Sequence, residues 1–435
     1  MTTSQKVFGW FNLADSTETL IIGSGCKPEP ARASLYSKVI GGPVKVQAEN
    51  RIRILQDKLL EGELSAALLF YSRDVFYYTG TAQPSYLVVF PHEYFLFVRN
   101  GFEFALSDAF LPRERIREER RLENIFREVF PGLPTNKKIG TELDILTVEQ
   151  LTKFKMIFSG YEFVNISPVV LEQRKRKDAS EIEKIKEACE VMDMGHKAVL
   201  STLKEGCTEL ELAAAVENAH RLAGHEGIIF MRQPDFFMSR GPISSGPNLS
   251  KFSGVVYSIT GVGLSPSVPA GPSRRNISKG DLVVVDIPTL VKGYHADQTR
   301  TYILGMAGEK VRNLYGDMRE IADHLIENIR PGMKCSEIFQ MAVDKAEDRK
   351  AADAFLNFGG GKKSHMIGHG IGLECNEPPI ISKYDHSEVL ENYVLSLEMH
   401  MYRKDVGVVK VEDVILITNH GNEILTTSPR HLIEL

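Results

Sequence analysis

Four acidic residues end or interrupt apolar strands in this chain. An unpaired carboxylate among valines and leucines is costly to bury, so their spacing demands a positive partner. Asp286 closes LVVVD, and Asp297 follows GYHA 11 residues on, within GDLVVVDIPTLVKGYHADQTRTYILG. Side chains alternate along a strand, so Val284 shares a face with Asp286 while Val283 and Val285 point the other way. A hairpin would bring the two acids together. The pattern recurs near the C-terminus, where Glu398 ends VLSLE and Glu412 lies 14 residues further, within VVKVEDVILI. Two similar hairpins point to two related halves of one sheet. The strands offer too few Lys or Arg to neutralise four acids, whereas two divalent cations would. A fifth element, HMIGHGIGLE, sets His365 and His369 among Gly368, Gly370 and Gly372, which let the backbone approach a site closely. Four acids and one imidazole suit Mn(II), Fe(II) or Co(II) at least as well as Zn(II).

These residues need a scaffold. At 435 residues and 43 % hydrophobic content the chain is expected to form two packed domains. Residues 1–45 read as an irregular lead-in rich in Gly, Pro and Ser. From Arg51, RIRILQDKLLEGE is helical, SAALLFYS is a buried strand, and SYLVVFPHEYFLFVRN holds two more strands, giving an α/β N-terminal domain over residues 1–170. PRERIREERRLENIFREVF reads as one solvated amphipathic helix, and YEFVNISPVVLEQ as strand-like. A boundary near residue 171 opens an α+β domain over 171–435, built on an antiparallel sheet. Its first helix, in RKRKDASEIEKIKEACEVMDMGHKAVLSTL, would be capped by Ser180, with Arg174 to Lys177 as a solvated linker. A second helix lies in TELELAAAVENAHRLAG, and two more lie around 309–328 and 336–350. Between them, the Gly, Ser and Pro-rich stretch from Arg240 to Pro272 is long enough to be expected to line a site.

Composition narrows the partners. A net charge of -5, with basic residues dispersed among acids, advertises no nucleic-acid face and favours a small ligand. Five separated cysteines without C-x-x-C spacing argue against a disulfide framework or zinc knuckle and fit a cytoplasmic protein. Neither a signal-peptide pattern nor a membrane-spanning apolar run is expected. Cys375, close to the motif, reads as structural rather than nucleophilic. His365 and His369 do not make a zincin helix, because Met366 stands where its Glu belongs. FGGGKKS lacks the Walker spacing, and GHGIGLE lacks the third glycine of a dinucleotide fingerprint.

Taken together, D-x10-D, GHGIGL, a Glu 29 residues past His369 and then VEDV resemble the creatinase and methionyl-aminopeptidase superfamily, with Xaa-Pro peptidases such as prolidase and aminopeptidase P as its nearest look-alikes. The resemblance spans roughly residues 50–435, including LLFYSRDVFYYTG and EIEKIKEACEV. It implies a "pita-bread" C-terminal fold with a curved antiparallel sheet, and a homodimer formed through the amino-terminal domain. It further implies two divalent ions, with Asp297 and Glu412 bridging both, Asp286 on one, and His369 and Glu398 on the other. The nucleophile would be a bridging hydroxide, with Glu398 shuttling its proton. His365 matches a histidine placed against substrate.

The chain also departs from the family's pattern. Asn376 stands in a phrase where relatives carry a substrate-facing His, and Ala270 stands in the place of another. Pro288 replaces a Gly, and Met399-His400 replaces Pro-Gly. An Asn can donate a hydrogen bond to an oxyanion but cannot exchange a proton as imidazole does. His400, on the same strand face as Glu398, is a candidate for the missing imidazole. The leading expectation is a metallopeptidase cutting Xaa-Pro bonds in short peptides. The alternatives are a hydrolase or lyase of the same fold acting on a non-peptide small molecule, and a non-catalytic binding module, against which the intact ligand set counts.

Overall fold

The computed structural model describes residues 43–435, apart from 132–136, 234–240, 252, 254–257 and 360–361. Most of the expected lead-in lies outside these residues, and its last few open the helix Pro43–Glu61, ahead of Arg51. Proline suits a first helical turn because its missing N–H would have no intrahelical partner there.

The first sheet comprises β1 (Leu64–Leu69), β2 (Ser85–Val89), β3 (Tyr94–Val98), β4 (Ile116–Glu118), β5 (Lys138–Thr141) and β6 (Glu162–Asn165), in the order β4-β3-β2-β1-β5-β6. It is mixed: β1–β2 and β2–β3 run antiparallel, while β1–β5, β5–β6 and β3–β4 run parallel. The apolar run of β1 serves two covered faces. Ala67 and Leu69 pack with Leu55 and Leu59 of the preceding helix, whereas Ala66 and Leu68 pack with Phe154 and Phe158. The charged segment before Phe130 is not one helix. Ile116 pairs with Leu96 at the sheet edge, and only Leu122–Val129 is α-helical, so strand pairing overrides the helical spacing. Similarly, YEFVNISPVVLEQ is strand only to Asn165, and Pro168 then opens the helix Ser167–Lys175.

Two expectations at the junction are corrected. Asp178, not Ser180, caps the helix Ala179–Thr202, accepting from the Glu181 N–H while the Glu181 carboxylate accepts from the Asp178 N–H. The Arg174 to Lys177 run is no solvated linker: Arg174 is 1 % exposed and Lys177 2 %. Carboxylates distant in sequence pair with them, which local charge patterning cannot reveal.

The second sheet gathers β7 (Ile243–Ser245), β8 (Leu282–Asp286), β11 (Thr299–Ile303), β14 (Met366–Gly370), β15 (Glu377–Ser382), β16 (Val394–Arg403) and β17 (Gly407–Leu416) in the order β15-β14-β16-β17-β11-β8-β7. These neighbours are antiparallel; β18 (Glu423–Ile424) extends β17, and β19 (Ile433–Glu434) adds a parallel pairing to β11. Two small pairs lie off it: β9 (Thr289–Val291) with β10 (Tyr294–Ala296), and β12 (Asn357–Gly359) with β13 (Lys362–Lys363). Alternation sorts the faces of β16. Leu395, Leu397, Met399 and Met401 pack with Met318, Ile321 and Leu325 of the helix Glu309–Asn328 and with Ile338 of the helix Cys335–Asp348. Ser396, Glu398 and His400 occupy the opposite face, which is the site face.

Candidate metal centre

Register brings the predicted acids together. Thr299 at the start of β11 lies opposite Asp286 on β8 and opposite Glu412 on β17. The β9–β10 hairpin, turning through Lys292 and Gly293 at φ of 50° and 82°, returns the chain so that Asp297 enters just ahead of β11. Glu398 is directly opposite Glu412, and His369 on β14 is opposite Ser396. Ligand atoms of Asp297, His369 and Glu412, all buried, lie within 4.8 Å of one another.

Their surroundings fit a cation. The His369 Nδ1 lies 3.0 Å from the Gly370 carbonyl, which can only accept, so Nδ1 carries the proton and Nε2 presents its lone pair, 4.0 Å from Glu412 Oε1. Thr299 and Ser396 hydroxyls donate to the two Glu412 oxygens at 2.7 and 2.8 Å. Asp297 Oδ2 accepts from Cys375 Sγ at 3.3 Å, whereas its buried Oδ1 has no hydrogen-bond partner. An orphaned carboxylate oxygen beside an imidazole lone pair is what a divalent ion satisfies.

One functional group escaped the sequence reading. Lys410, two residues before Glu412 on β17, is 1 % exposed and reaches Asp286 Oδ2 at 2.6 Å, Glu398 Oε2 at 2.9 Å and Glu412 Oε2 at 3.1 Å. The strands do hold too few basic residues to neutralise four acids, but this one lysine sits among three of them. The strand period was the available signal, since it puts Lys410 on the face of Glu412. Lys410 also donates to Ser258 Oγ at 2.9 Å, and Ser258 donates to Glu398 at 3.3 Å, so the long Gly, Ser and Pro-rich stretch does line the site.

Charge is crowded here. Burial pushes the Asp286 carboxyl up to about 7, against Lys410 and with Glu412 and Glu398. Burial, then Glu412 and Asp286, raise Asp297 well above the usual carboxylate range. Burial also opposes the charged form of Glu412, but Lys410 and the Thr299 and Ser396 hydroxyls outweigh it and hold that carboxyl low. The Cys375 thiol is raised by burial and then by Asp297, so it stays protonated and is no nucleophile.

The remaining predicted residues are more dispersed. His365 is exposed, its ring 5.9 Å from that of Tyr384, and Asn376 is half-buried. His400 is buried, stacked 4.2 Å from Phe358, and opposite Lys410 in register. Burial, then Lys410, take its pKa down to about 3, so its imidazole is neutral.

A buried ion network braces the turn that carries Cys375 and Asn376. Arg174 pairs with Asp74 at 2.7 Å, Glu374 at 2.9 Å and Glu377 at 2.6 Å, while Tyr71 donates to Glu374 at 2.7 Å. Asp74 and Tyr71 sit at the helix Ser72–Thr79 after β1, so the first sheet's elements position this edge of the site.

A buried acid and histidine cluster on a largely antiparallel sheet, behind an α/β domain, defines a metal-dependent hydrolase. Residues 183–419 match the model of metallopeptidase family M24, and residues 51–176 match the creatinase/prolidase N-terminal domain. The chain belongs to metallopeptidase family M24, and the fold is the α/β plus pita-bread arrangement expected. Family members act through divalent metal ions. The Xaa-Pro dipeptidase of Pyrococcus furiosus is 29 % identical over 388 residues, covering 88 % of this chain and 100 % of that one. Among solved structures, the prolidase from Pyrococcus furiosus superposes with a TM-score of 0.70 at 28 % identity, covering 86 % of this chain and 99 % of its own. The Xaa-Pro dipeptidase from Bacillus anthracis gives 0.74 at 25 %, covering 89 % and 100 %.

Proposed function

We propose that this metallopeptidase hydrolyses the bond preceding proline in dipeptides or short peptides. The observation that carries the reading is the convergence of Asp297, His369 and Glu412 within 4.8 Å around an unpartnered carboxylate oxygen. Relatives named Xaa-Pro dipeptidase, aligned along nearly their whole length, support the substrate class. Asp286 and Glu398 stand beside these three in strand register and complete the five-residue acid and imidazole cluster. A divalent ion held there, Mn(II), Co(II), Fe(II) or Zn(II), supplies a Lewis acid for the scissile carbonyl and an activated water at neutral pH.

The chain's own groups do the rest. Glu398, half-buried beside Ser258, takes the proton of the attacking water and delivers it to the leaving nitrogen. His365 contacts substrate, and the Asn376 amide donates to the developing oxyanion without exchanging a proton. His400 is the remaining imidazole on the strand face of Glu398. The reading includes a homodimer in the cytoplasm, with no nucleic-acid or membrane partner. Among the described residues no helix is long and apolar enough to cross a membrane.

A second reading, a small-molecule hydrolase or lyase, is favoured by Asn376 and Ala270 standing where the family's pattern has histidines. A panel of Xaa-Pro dipeptides with matched Xaa-Ala controls, assayed with Mn(II), Co(II) and Zn(II), separates the two. Cleavage confined to the proline series is expected. A fully metal-loaded sample that cuts no peptide moves the assignment to the second reading.

A further inference from the structure

The five-residue ligand set divides into two unlike halves. On one side stand Asp297, His369 and Glu412, with an imidazole lone pair and the Asp297 Oδ1 that has no donor. On the other, Asp286, Glu398 and Glu412 oxygens already surround a cation, the Lys410 ammonium, at 2.6, 2.9 and 3.1 Å. We propose that Lys410 takes the place of one metal ion, so that this chain holds a single divalent ion on Asp297, His369 and Glu412.

The ammonium is built in. Thr301 pins the Lys410 backbone from both sides, its hydroxyl donating to the Lys410 carbonyl at 2.7 Å and accepting from the Lys410 N–H at 2.9 Å. Asp286, Glu398 and Ser258 surround the buried Nζ, which has no water to retreat into at 1 % exposure. A second ion on Asp286 would be left its other oxygen, Oδ1, on the same carboxylate whose Oδ2 Nζ contacts at 2.6 Å. Two like charges on one buried carboxylate repel strongly, because the low-dielectric interior screens them poorly.

This rests on the metal-binding reading of the site, and counting ions separates the failure of each. The full-length protein is stripped with chelator, reloaded with excess Mn(II), desalted and measured by elemental analysis and by electron paramagnetic resonance. One Mn(II) per chain with the six-line signal of an isolated ion is expected. Two Mn(II) with an exchange-coupled signal overturn the inference while leaving the site reading intact, and zero Mn(II) overturns both. In Lys410→Met the count should rise to two, and a folded variant that still binds one removes Lys410 as the cause. Should that variant fail to fold, the wild-type count and signal decide alone.

Discussion

Replacing Arg174 by Met tests whether the buried ion network sets both stability and site geometry. Arg174 is 1 % exposed and holds three carboxylates. Each keeps some other partner: Asp74 keeps Arg232 at 2.8 Å, Glu374 keeps the Tyr71 hydroxyl, and Glu377 keeps Lys177 at 3.5 Å. The losses therefore do not add, and the expected cost is that of breaking one buried pair, ~3–5 kcal/mol. Against a total of ~5–15 kcal/mol for an ordinary protein, that is a large fraction. Acid sensitivity should change with it. Burial alone would raise the Glu377 pKa, but Arg174 and then Lys177 bring it down to about 2 from 4.5. A depressed carboxyl contributes stability that is present above its unfolded pKa and lost as pH falls through the folded value, here between pH ~4.5 and ~2, an effect of order ~3 kcal/mol. In Arg174→Met this acid-dependent part should shrink. Urea unfolding followed by circular dichroism at pH 7 and in steps down to pH ~2.5 gives both quantities. A loss under ~1 kcal/mol at pH 7, with an unchanged pH dependence, would refute the reasoning.

Other outcomes follow from single side chains. Asn376→His should raise kcat/KM on Xaa-Pro dipeptides by about tenfold or more, since positioned proton transfer is commonly worth ~100-fold or more; an unchanged rate counts against the proposed role of that position. His400→Ala should lower turnover by about tenfold if His400 supplies the remaining imidazole, and wild-type turnover sinks that role. Burial brings His295 down to about 3 and His220 to about 4, so both fold neutral. The unfolded chain then binds more protons below pH ~6.5, and each histidine should cost up to ~1.4 kcal/mol per pH unit on acidification toward those values; a flat urea midpoint between pH 7 and 5 contradicts this. Glu209 is buried and accepts from the backbone N–H and hydroxyl of both Ser245 and Ser273. Glu209→Ala should destabilise by ~2–4 kcal/mol and raise proteolysis near residues 243–273, and protection equal to wild type would argue against this anchoring.

The five residues proposed as metal ligands were legible because strand period and chain order both leave traces in sequence. Glu398 and Glu412 lie directly opposite each other as the two acidic hairpins require. The helices near 309–328 and 335–348 were legible through the same kind of periodicity. What escaped depends on contacts distant in sequence. Arg174 looked solvated because Glu374 and Glu377 lie some two hundred residues away. Lys410 looked like one charge among many until pairing set its Nζ between Asp286 and Glu398. The cap at Asp178 lay two residues from the position that local pattern favoured, within the usual slack of helix ends.

On the proposed reading, a divalent ion on Asp297, His369 and Glu412 drives hydrolysis before proline. The most direct measurement is the rate of Xaa-Pro dipeptide cleavage by chelator-stripped protein as Mn(II) or Co(II) is returned, run beside His369→Ala. No cleavage is expected when stripped, recovery on adding metal, and little or no recovery in His369→Ala. Full activity in the stripped protein, or equal recovery without His369, would contradict it.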